Sequence, residues 1–317
     1  MNKDGKYKSK IEKLPADYYD PKAKKCFLCG SSNSKTISRL ERFTVPLEFK
    51  RCQCGLIKQT PMPNEKFFEW FFNSDIFLAS KYLKVPEIWG YYDYFIEEIN
   101  RLKTSKRRFD ILKYLFERDH PLEVMKIGPA TGTFLHVIKK HGHNVLGCDA
   151  SKHFINYAQE KYGVQIDHGR YENMGYANEK FDLIFLFSVF ENIPNVEEFL
   201  TSVNRTLKTN GYFVFNFVDM ENNFIASLQG SKYFLYRPPA CYIYNNKVLR
   251  GILNKYNFEI IKIHQDIRYV SLEKIFTSFR LNWLNIIFHF LNLNRLSLRV
   301  YAYPSKIVVA KKIKSLA

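Results

Sequence analysis

The stretch Pro121 to Ser151, PLEVMKIGPATGTFLHVIKKHGHNVLGCDAS, restricts the fold of this chain more than any other. Leu122 to Ile127 read as a buried strand. Gly128-Pro129-Ala130-Thr131-Gly132 form a tight turn, and Thr133 to His141 continue as a helix. A second strand, Asn144 to Cys148, delivers Asp149. A turn that passes from strand to helix through glycine lets a ligand approach the backbone, because no Cβ stands in the way. An acid at the tip of the next strand, about 20 residues on, can accept both hydroxyls of a ribose. The combination describes a socket for an adenosine-containing ligand.

Dinucleotide sites favour G-x-G-x-x-G, in which a third glycine allows tight helix packing and turn amides face a pyrophosphate. Here the third glycine is missing, and Pro129 has no N–H to offer. The stretch instead resembles motif I of the class I S-adenosylmethionine-dependent methyltransferases, often written E-I-G-x-x-T-G. That resemblance implies that Gly128, Thr131 and Gly132 cradle the methionine part of S-adenosylmethionine and that Asp149 holds its ribose.

The remaining pattern alternates strand and helix. Further strands are expected at Val164–Asp167, Phe181–Phe187, Tyr212–Phe217, Phe258–His264 and Lys306–Lys311, with helices at Lys152–Tyr162, Val196–Leu207 and Val248–Tyr256. Ser151 stands as the N-cap of the first of these helices. The unbroken apolar run FDLIFLF suits a strand buried on both faces. The order matches the seven-stranded Rossmann-like methyltransferase sheet, an α/β fold with helices on both faces.

Upstream, Cys26-Phe27-Leu28-Cys29-Gly30 is followed after 21 residues by Cys52-Gln53-Cys54-Gly55. Two thiolate pairs on tight turns can complete a tetrahedral zinc site, a closed four-sulfur shell with a structural role. Four unrelated buried cysteines would leave the same trace. Many bacterial sugar and small-molecule methyltransferases look similar: a C-x-x-C-G, a second cysteine-glycine pair, then Pro-x-Pro, here Pro61-Met62-Pro63. The expected organisation is a basic arm over residues 1–25, a small zinc ribbon over 26–60 and a helical linker over 61–116. A methyltransferase domain over 117–317 follows, with an apolar helical insertion at 266–303.

Lysine and arginine outnumber aspartate and glutamate by 48 to 31, a formal charge of +17, which favours anionic partners or a merely solvated basic surface. No apolar run follows the first lysines, and no stretch reaches the roughly 18 apolar residues that span a bilayer. With six cysteines and no secretory features, reduced thiols in the cytoplasm are expected. Residues 281–293 are mostly apolar at helical spacing, which fits internal packing, a homodimer interface or peripheral membrane contact.

Chemistry is expected beyond the carboxyl ends of the strands. Ser188-Val189-Phe190-Glu191-Asn192-Ile193-Pro194 resembles the family's strand-four exit, V-x-E-H-I, with Asn192 in place of histidine. Glu191 is then a base or an orienter of the acceptor, or only a helix N-terminal acid; Asn192 can orient but takes no proton. The resemblance further implies that Ser188 and Asn173 lie at the cofactor, and that Tyr92 from the preceding helix covers it. Lys106, Arg107 and Arg108 serve an anion or the solvated side of that helix.

Three polar positions depart from the family pattern: Lys126 replaces the acid two residues before Gly128, Arg170 replaces an acid after strand three, and Cys241 replaces a histidine. Glu172 or Asn173 stands ready to substitute near the adenine amine. The long connection Met220–Asn246, with Arg237 as an anion grip, is expected to shape the acceptor side. The expected function is methyl transfer from S-adenosylmethionine to a small acceptor, of sugar or nucleotide-sugar kind. An RNA-base methyltransferase docking RNA through ribbon and arm, and a binding protein that keeps the fold without turnover, stand as alternatives.

Overall fold

The computed structural model describes residues 16–20, 25–40, 46–74, 77, 94, 95, 97–221, 223–233, 235–278 and 296–316. The chain opens with β1 (Tyr19–Asp20), β2 (Ser34–Leu40), β3 (Leu47–Cys52), β4 (Ile57–Thr60) and β5 (Met62–Pro63), then α1 (Glu65–Phe72) and α2 (Glu98–Leu112). The alternating part follows as β6 (Glu123–Ile127), α3 (Thr133–Lys140), β7 (Asn144–Asp149), α4 (Lys152–Tyr162) and β8 (Ile166–His168). It continues with β9 (Phe181–Leu186), α5 (Val196–Thr206), β10 (Leu207–Val218), α6 (Phe224–Gln229) and β11 (Tyr242–Ile243). The last elements are α7 (Asn246–Lys255), β12 (Phe258–Ser271), α8 (Leu272–Ser278) and β13 (Ser297–Lys312).

The seven expected strands form one sheet in the order β12-β13-β10-β9-β6-β7-β8. The five strands from β10 to β8 run parallel, whereas β13 lies antiparallel between β10 and β12. In β9, Ile184 and Leu186 enter one hydrophobic cluster while Leu183 and Phe185 enter the cluster on the opposite face. A side-chain period of two thus delivers the central strand to both layers at once. Phe109 and Leu112 of α2 and Phe134, Val137 and Ile138 of α3 close one face. Phe199, Leu200 and Val203 of α5 with Leu249, Ile252 and Leu253 of α7 close the other.

A second, four-stranded antiparallel sheet has the order β11-β4-β3-β2. Its outer strand β11 comes from the Met220–Asn246 connection, with Tyr242 opposite Lys58 and Ile243 opposite Ile57. The cysteine-bearing region is therefore continuous with the large domain through backbone hydrogen bonds.

Several expectations shift. The strand expected to stop at His264 runs to Ser271, and the one expected from Lys306 begins at Ser297; the two stay paired from Ile267–Tyr301 to Ser271–Ser297. The insertion between them narrows to the span from α8 to Leu296, because 266–271 and 297–303 continue the ladder. Within the expected helical linker, α1 ends at Phe72 and α2 begins at Glu98. Ser151 is the N-cap residue of α4, yet its hydroxyl makes no cap bond; Asn73 Oδ1 instead accepts from Lys152 N at 3.0 Å. Arg108 serves neither solvent nor a surface anion but is buried against Asp266. The expected apolar segment 281–293 lies outside the described residues.

Gly132 begins α3 at φ +79°, and a Cβ there would sit 2.8 Å from Ala158 Cβ and 3.0 Å from Val164 Cγ2. This glycine lets α3 pack on α4. Gly132→Ala is expected to cost about 2–3 kcal/mol through overpacking and a left-handed backbone. A lower urea midpoint at unchanged slope checks it.

Candidate functional site

A cavity of about 630 Å³ lies across the carboxyl ends of the parallel strands. The sheet order fixes what meets there. On the β7–β8 side stand Asp149, Gly169, Arg170 and Glu172, with Tyr94, Phe154 and Phe77 as aromatic neighbours. In the middle lie Ile127, Gly128, Ala130, Phe187, Ser188, Glu191 and Asn192. Toward β10, β12 and β13 the wall is Asn216, Arg268, Pro304 and Ser305, joined by Arg237 and Lys274. A ligand crevice at the point where strand order reverses is the general expectation for open α/β sheets.

The turn after β6 is built around close approach. Gly128 has φ +59°, and a Cβ on it would meet Val189 Cγ2 at 2.6 Å. Ala130 is also left-handed, at φ +49°, a conformation that costs a non-glycine residue energy and persists only when its surroundings hold it. The holder is Asp149: its Oδ2 accepts from Ala130 N at 3.0 Å and its Oδ1 from Ser151 N at 2.9 Å. Each carboxylate oxygen keeps a further lone pair for a ligand hydroxyl. Burial pushes the Asp149 carboxyl above its usual range, against the two backbone N–H groups and Lys126, which favour the anion.

Beyond β9 the chain turns sharply through Ser188, left-handed at φ +58°. Ser188 N donates to Asn216 Oδ1 at 2.6 Å, and Asn216 Nδ2 donates to Ser305 Oγ at 3.0 Å. Ser305 Oγ in turn donates to Asp266 Oδ2 at 3.1 Å. Asp266 has no exposed surface and is clasped by Arg108, with Nη2 2.9 Å from Oδ2, and by Arg268, with Nε 2.9 Å from Oδ2. Burial alone would raise its carboxyl, but the two guanidinium groups hold it well below the usual carboxylate range. Ser188 and Arg108 stand out in the sequence, but for other roles, and Asn216, Ser305, Asp266 and Arg268 do not. The signal was available as an asparagine inside the apolar run YFVFNFV and an acid inside β12.

Glu191 is buried beside the cavity; its Oε1 accepts from Val218 N at 2.9 Å. Burial raises its carboxyl above the usual range, which places it closer to general-base duty at neutral pH than a solvated glutamate would be. Its backbone carbonyl accepts from Cys241 N at 2.7 Å, while Cys241 O accepts from Gln59 N at 2.8 Å. Cys241 itself is fully buried and lines no part of the cavity; it joins the strand-four exit to the small sheet.

Of the residues singled out in the sequence, Gly128, Asp149, Ser188, Glu191 and Asn192 meet on the cavity wall. Thr131 and Gly132 lie behind it, packed into the α3–α4 interface or the core. Asn173 is exposed and also off the wall, whereas Glu172 lines it, tied to Arg170 by a short ion pair. Tyr92 lies outside the described residues; Tyr94, two positions on, stands on the wall with its ring 4.5 Å from that of Phe154. In the Met220–Asn246 connection, Arg237 and Leu235 face the cavity. Asn223 and Tyr233 are instead hydrogen-bonded to each other in the core, and Asn222 lies outside the described residues.

Lys126 departs furthest from the resemblance. Only 3% of it is exposed, and its Nζ donates to Ile127 O at 2.6 Å and to Gly128 O at 3.0 Å. Burial, with Arg108 nearby, lowers its ammonium to about 7, while Asp149 works in the opposite direction.

The four cysteines converge. Their sulfurs lie within 4.8 Å of one another, with Cys26 to Cys54 at 3.7 Å and Cys29 to Cys52 at 3.5 Å. A tetrahedral zinc with Zn–S of about 2.3 Å needs S···S edges of about 3.8 Å. Gly30 at φ +70° and Gly55 at φ +95° close the two turns that aim the thiols. The donor set and spacing fit a structural metal.

Residues 125–215 match the family model described as "Methyltransferase domain", so the chain carries such a domain over β6 to β10. A curated relative, the ubiquinone biosynthesis O-methyltransferase of Azorhizobium caulinodans, is 25% identical over 120 residues, 36% of this chain and 47% of the relative. The chain thus spans about half the length of that protein. A solved S-adenosylmethionine-dependent methyltransferase from Archaeoglobus fulgidus is 20% identical, with 70% of this chain and 100% of that one covered and a TM-score of 0.49. The magnesium protoporphyrin IX methyltransferase of Synechocystis, with bound S-adenosylhomocysteine, is 13% identical at 68% and 84% coverage and a TM-score of 0.46. No helix among the described residues is long and apolar enough to cross a membrane.

Asp266→Asn is expected to cost about 3–5 kcal/mol, because it leaves the buried Arg108 guanidinium without its counter-charge. The sign of the pH effect follows from the depressed carboxyl: its contribution is present above the unfolded value of about 3.9 and lost as pH falls below it. Equilibrium unfolding between neutral and acid pH therefore shows a shallower acid loss in the variant than in the native chain.

Proposed function

We propose that this chain is a methyltransferase that uses S-adenosylmethionine to methylate a small acceptor carrying an anionic group, of the sugar or nucleotide-sugar kind. The reading rests on one observation: Asp149 stands on the cavity wall beside the Cβ-less Gly128, at the reversal of strand order, within a methyltransferase domain. The Asp149 carboxylate, held from behind by two N–H groups, is set to accept ribose hydroxyls. Gly128 leaves room for the amino-acid part, and Tyr94 and Phe154 offer apolar faces.

S-adenosylmethionine supplies a sulfonium methyl that is already electrophilic, so the residues of the chain need mainly to align an acceptor. Arg237, Arg268 and Lys274 on the far wall favour an acceptor with phosphate or carboxylate. Glu191, raised by burial, is the group that takes a proton from an acceptor hydroxyl, and Asn192 orients it. Oxygen as the methylated atom is supported by the O-methyltransferase to which the chain is similar. Cys26, Cys29, Cys52 and Cys54 would hold a structural zinc ion; four thiolates leave it no open position for chemistry.

Titration calorimetry with S-adenosylmethionine and S-adenosylhomocysteine tests the reading. One site is expected for each, and Asp149→Ala is expected to weaken both by about 10- to 100-fold, the loss of a charged hydrogen-bond acceptor. A folded native chain that binds neither compound overturns the assignment. For the cysteines, about one zinc per chain is expected by elemental analysis, and a chelator should lower the melting temperature. A metal-free chain of unchanged melting temperature would refute that part.

A further inference from the structure

Lys126 is a buried charged group behind the cavity wall that the proposed chemistry leaves without a task. It sits one residue before Ile127 and two before Gly128, both of which line the cavity, and it reaches back to their carbonyl oxygens. Two of its three N–H groups are spent there. Its Nζ lies 5.3 Å from the centre of the Phe187 ring, another wall residue. Around it stand Asp149 from the end of β7 and Arg108 from α2 with its partners Asp266 and Arg268, while Glu191 from the turn after β9 lines the same cavity. Arg108 is matched by Asp266, which leaves Asp149 as the close counter-charge for an ammonium at this end.

The geometry has a chemical consequence. The backbone carbonyls beside Gly128 are the acceptors that a cationic ligand would seek at this end of the cavity, and Lys126 already occupies them. A ligand that brings a positive charge meets an internal positive charge that water screens only in part. S-adenosylmethionine and S-adenosylhomocysteine differ in the methyl group and in one unit of positive charge on sulfur, and in little else.

We propose that Lys126 is the residue that sets the balance between methyl donor and demethylated product: its ammonium, docked on the Ile127 and Gly128 carbonyls behind the wall, disfavours the sulfonium relative to the neutral thioether, and loss of its proton removes that bias. The inference rests on the methyl-donor reading of the same cavity. It makes donor binding release a proton from the chain, more so than product binding. Since burial and Arg108 lower Lys126 to about 7, the changeover falls where both forms are accessible. The sign is fixed: a positive ligand lowers the lysine further, so donor affinity gains on product affinity as pH rises through that point.

Calorimetry with both compounds, at pH values well below and well above 7, reads the effect without turnover. The ratio of donor Kd to product Kd is expected to fall about fivefold across that range, the scale of one unit-charge interaction in a partly hydrated site. Repeating the titrations in buffers of different ionisation enthalpy counts the protons, and the donor should release more than the product. Lys126→Gln should hold the ratio flat at the native high-pH value, and Lys126→Arg, which does not titrate, flat at the low-pH value. If either variant fails to fold, the ratio and proton count of the native chain decide. A native ratio that does not change with pH, or a slope that persists unchanged in Lys126→Gln, overturns the role of Lys126 while the methyl-donor reading stands. Failure of the native chain to bind either compound removes both.

Discussion

The two hydrogen bonds accepted by Asp149 hold the site together. Ala130 adopts a left-handed backbone that an alanine does not choose for itself, and the carboxylate at the end of β7 supplies the bond that keeps it there. The same carboxylate fixes Ser151 N and hence the start of α4. One side chain thereby couples the tip of β6, the tip of β7 and the following helix, so the wall is shaped before any ligand arrives. Preorganisation of this kind lowers the ordering cost of binding. It also explains why a half-buried carboxylate is tolerated there: its charge meets N–H groups rather than hydrocarbon.

What could be read from the sequence follows the period of the apolar residues. The strand–turn–helix of residues 122–141 and the helix 152–162 fall where the spacing puts them, because local propensity and tertiary burial agree there. The strand ends did not. His264 to Ser271 is rich in polar residues, HQDIRYVS, and most of it falls in the expected insertion; antiparallel pairing with 297–307 makes it strand. Partnership of that kind has no local signature. Asp149, Glu191 and the cysteine quartet were visible because their residue types are costly to bury without purpose. The Arg108–Asp266–Arg268 clasp escaped because Arg108 lies 158 residues from Asp266 and each member looks like an ordinary surface charge. Gly132 carries a packing demand that the turn motif does not reveal, since a Cβ there would meet Ala158 and Val164.

The acceptor-side wall is assembled from distant parts. Arg237 to Ala240 line the cavity, and the next residues, through Ile243, pair with β4 of the cysteine-bearing sheet. Cys241 makes the transfer through its backbone, donating to Glu191 O and accepting from Gln59 N. The position of Glu191 is therefore tied to the sheet whose β3 ends at Cys52.

That shared outer strand has a further consequence for how the chain can be divided. Without Tyr242 and Ile243, β4 would present an open row of backbone donors and acceptors, and without β4 the segment after Ala240 would lose the edge it lies on. Two polypeptides cut in the stretch between Phe72 and Glu98 would each carry half of a hydrogen-bonded seam. The seam therefore makes neither part a self-contained module.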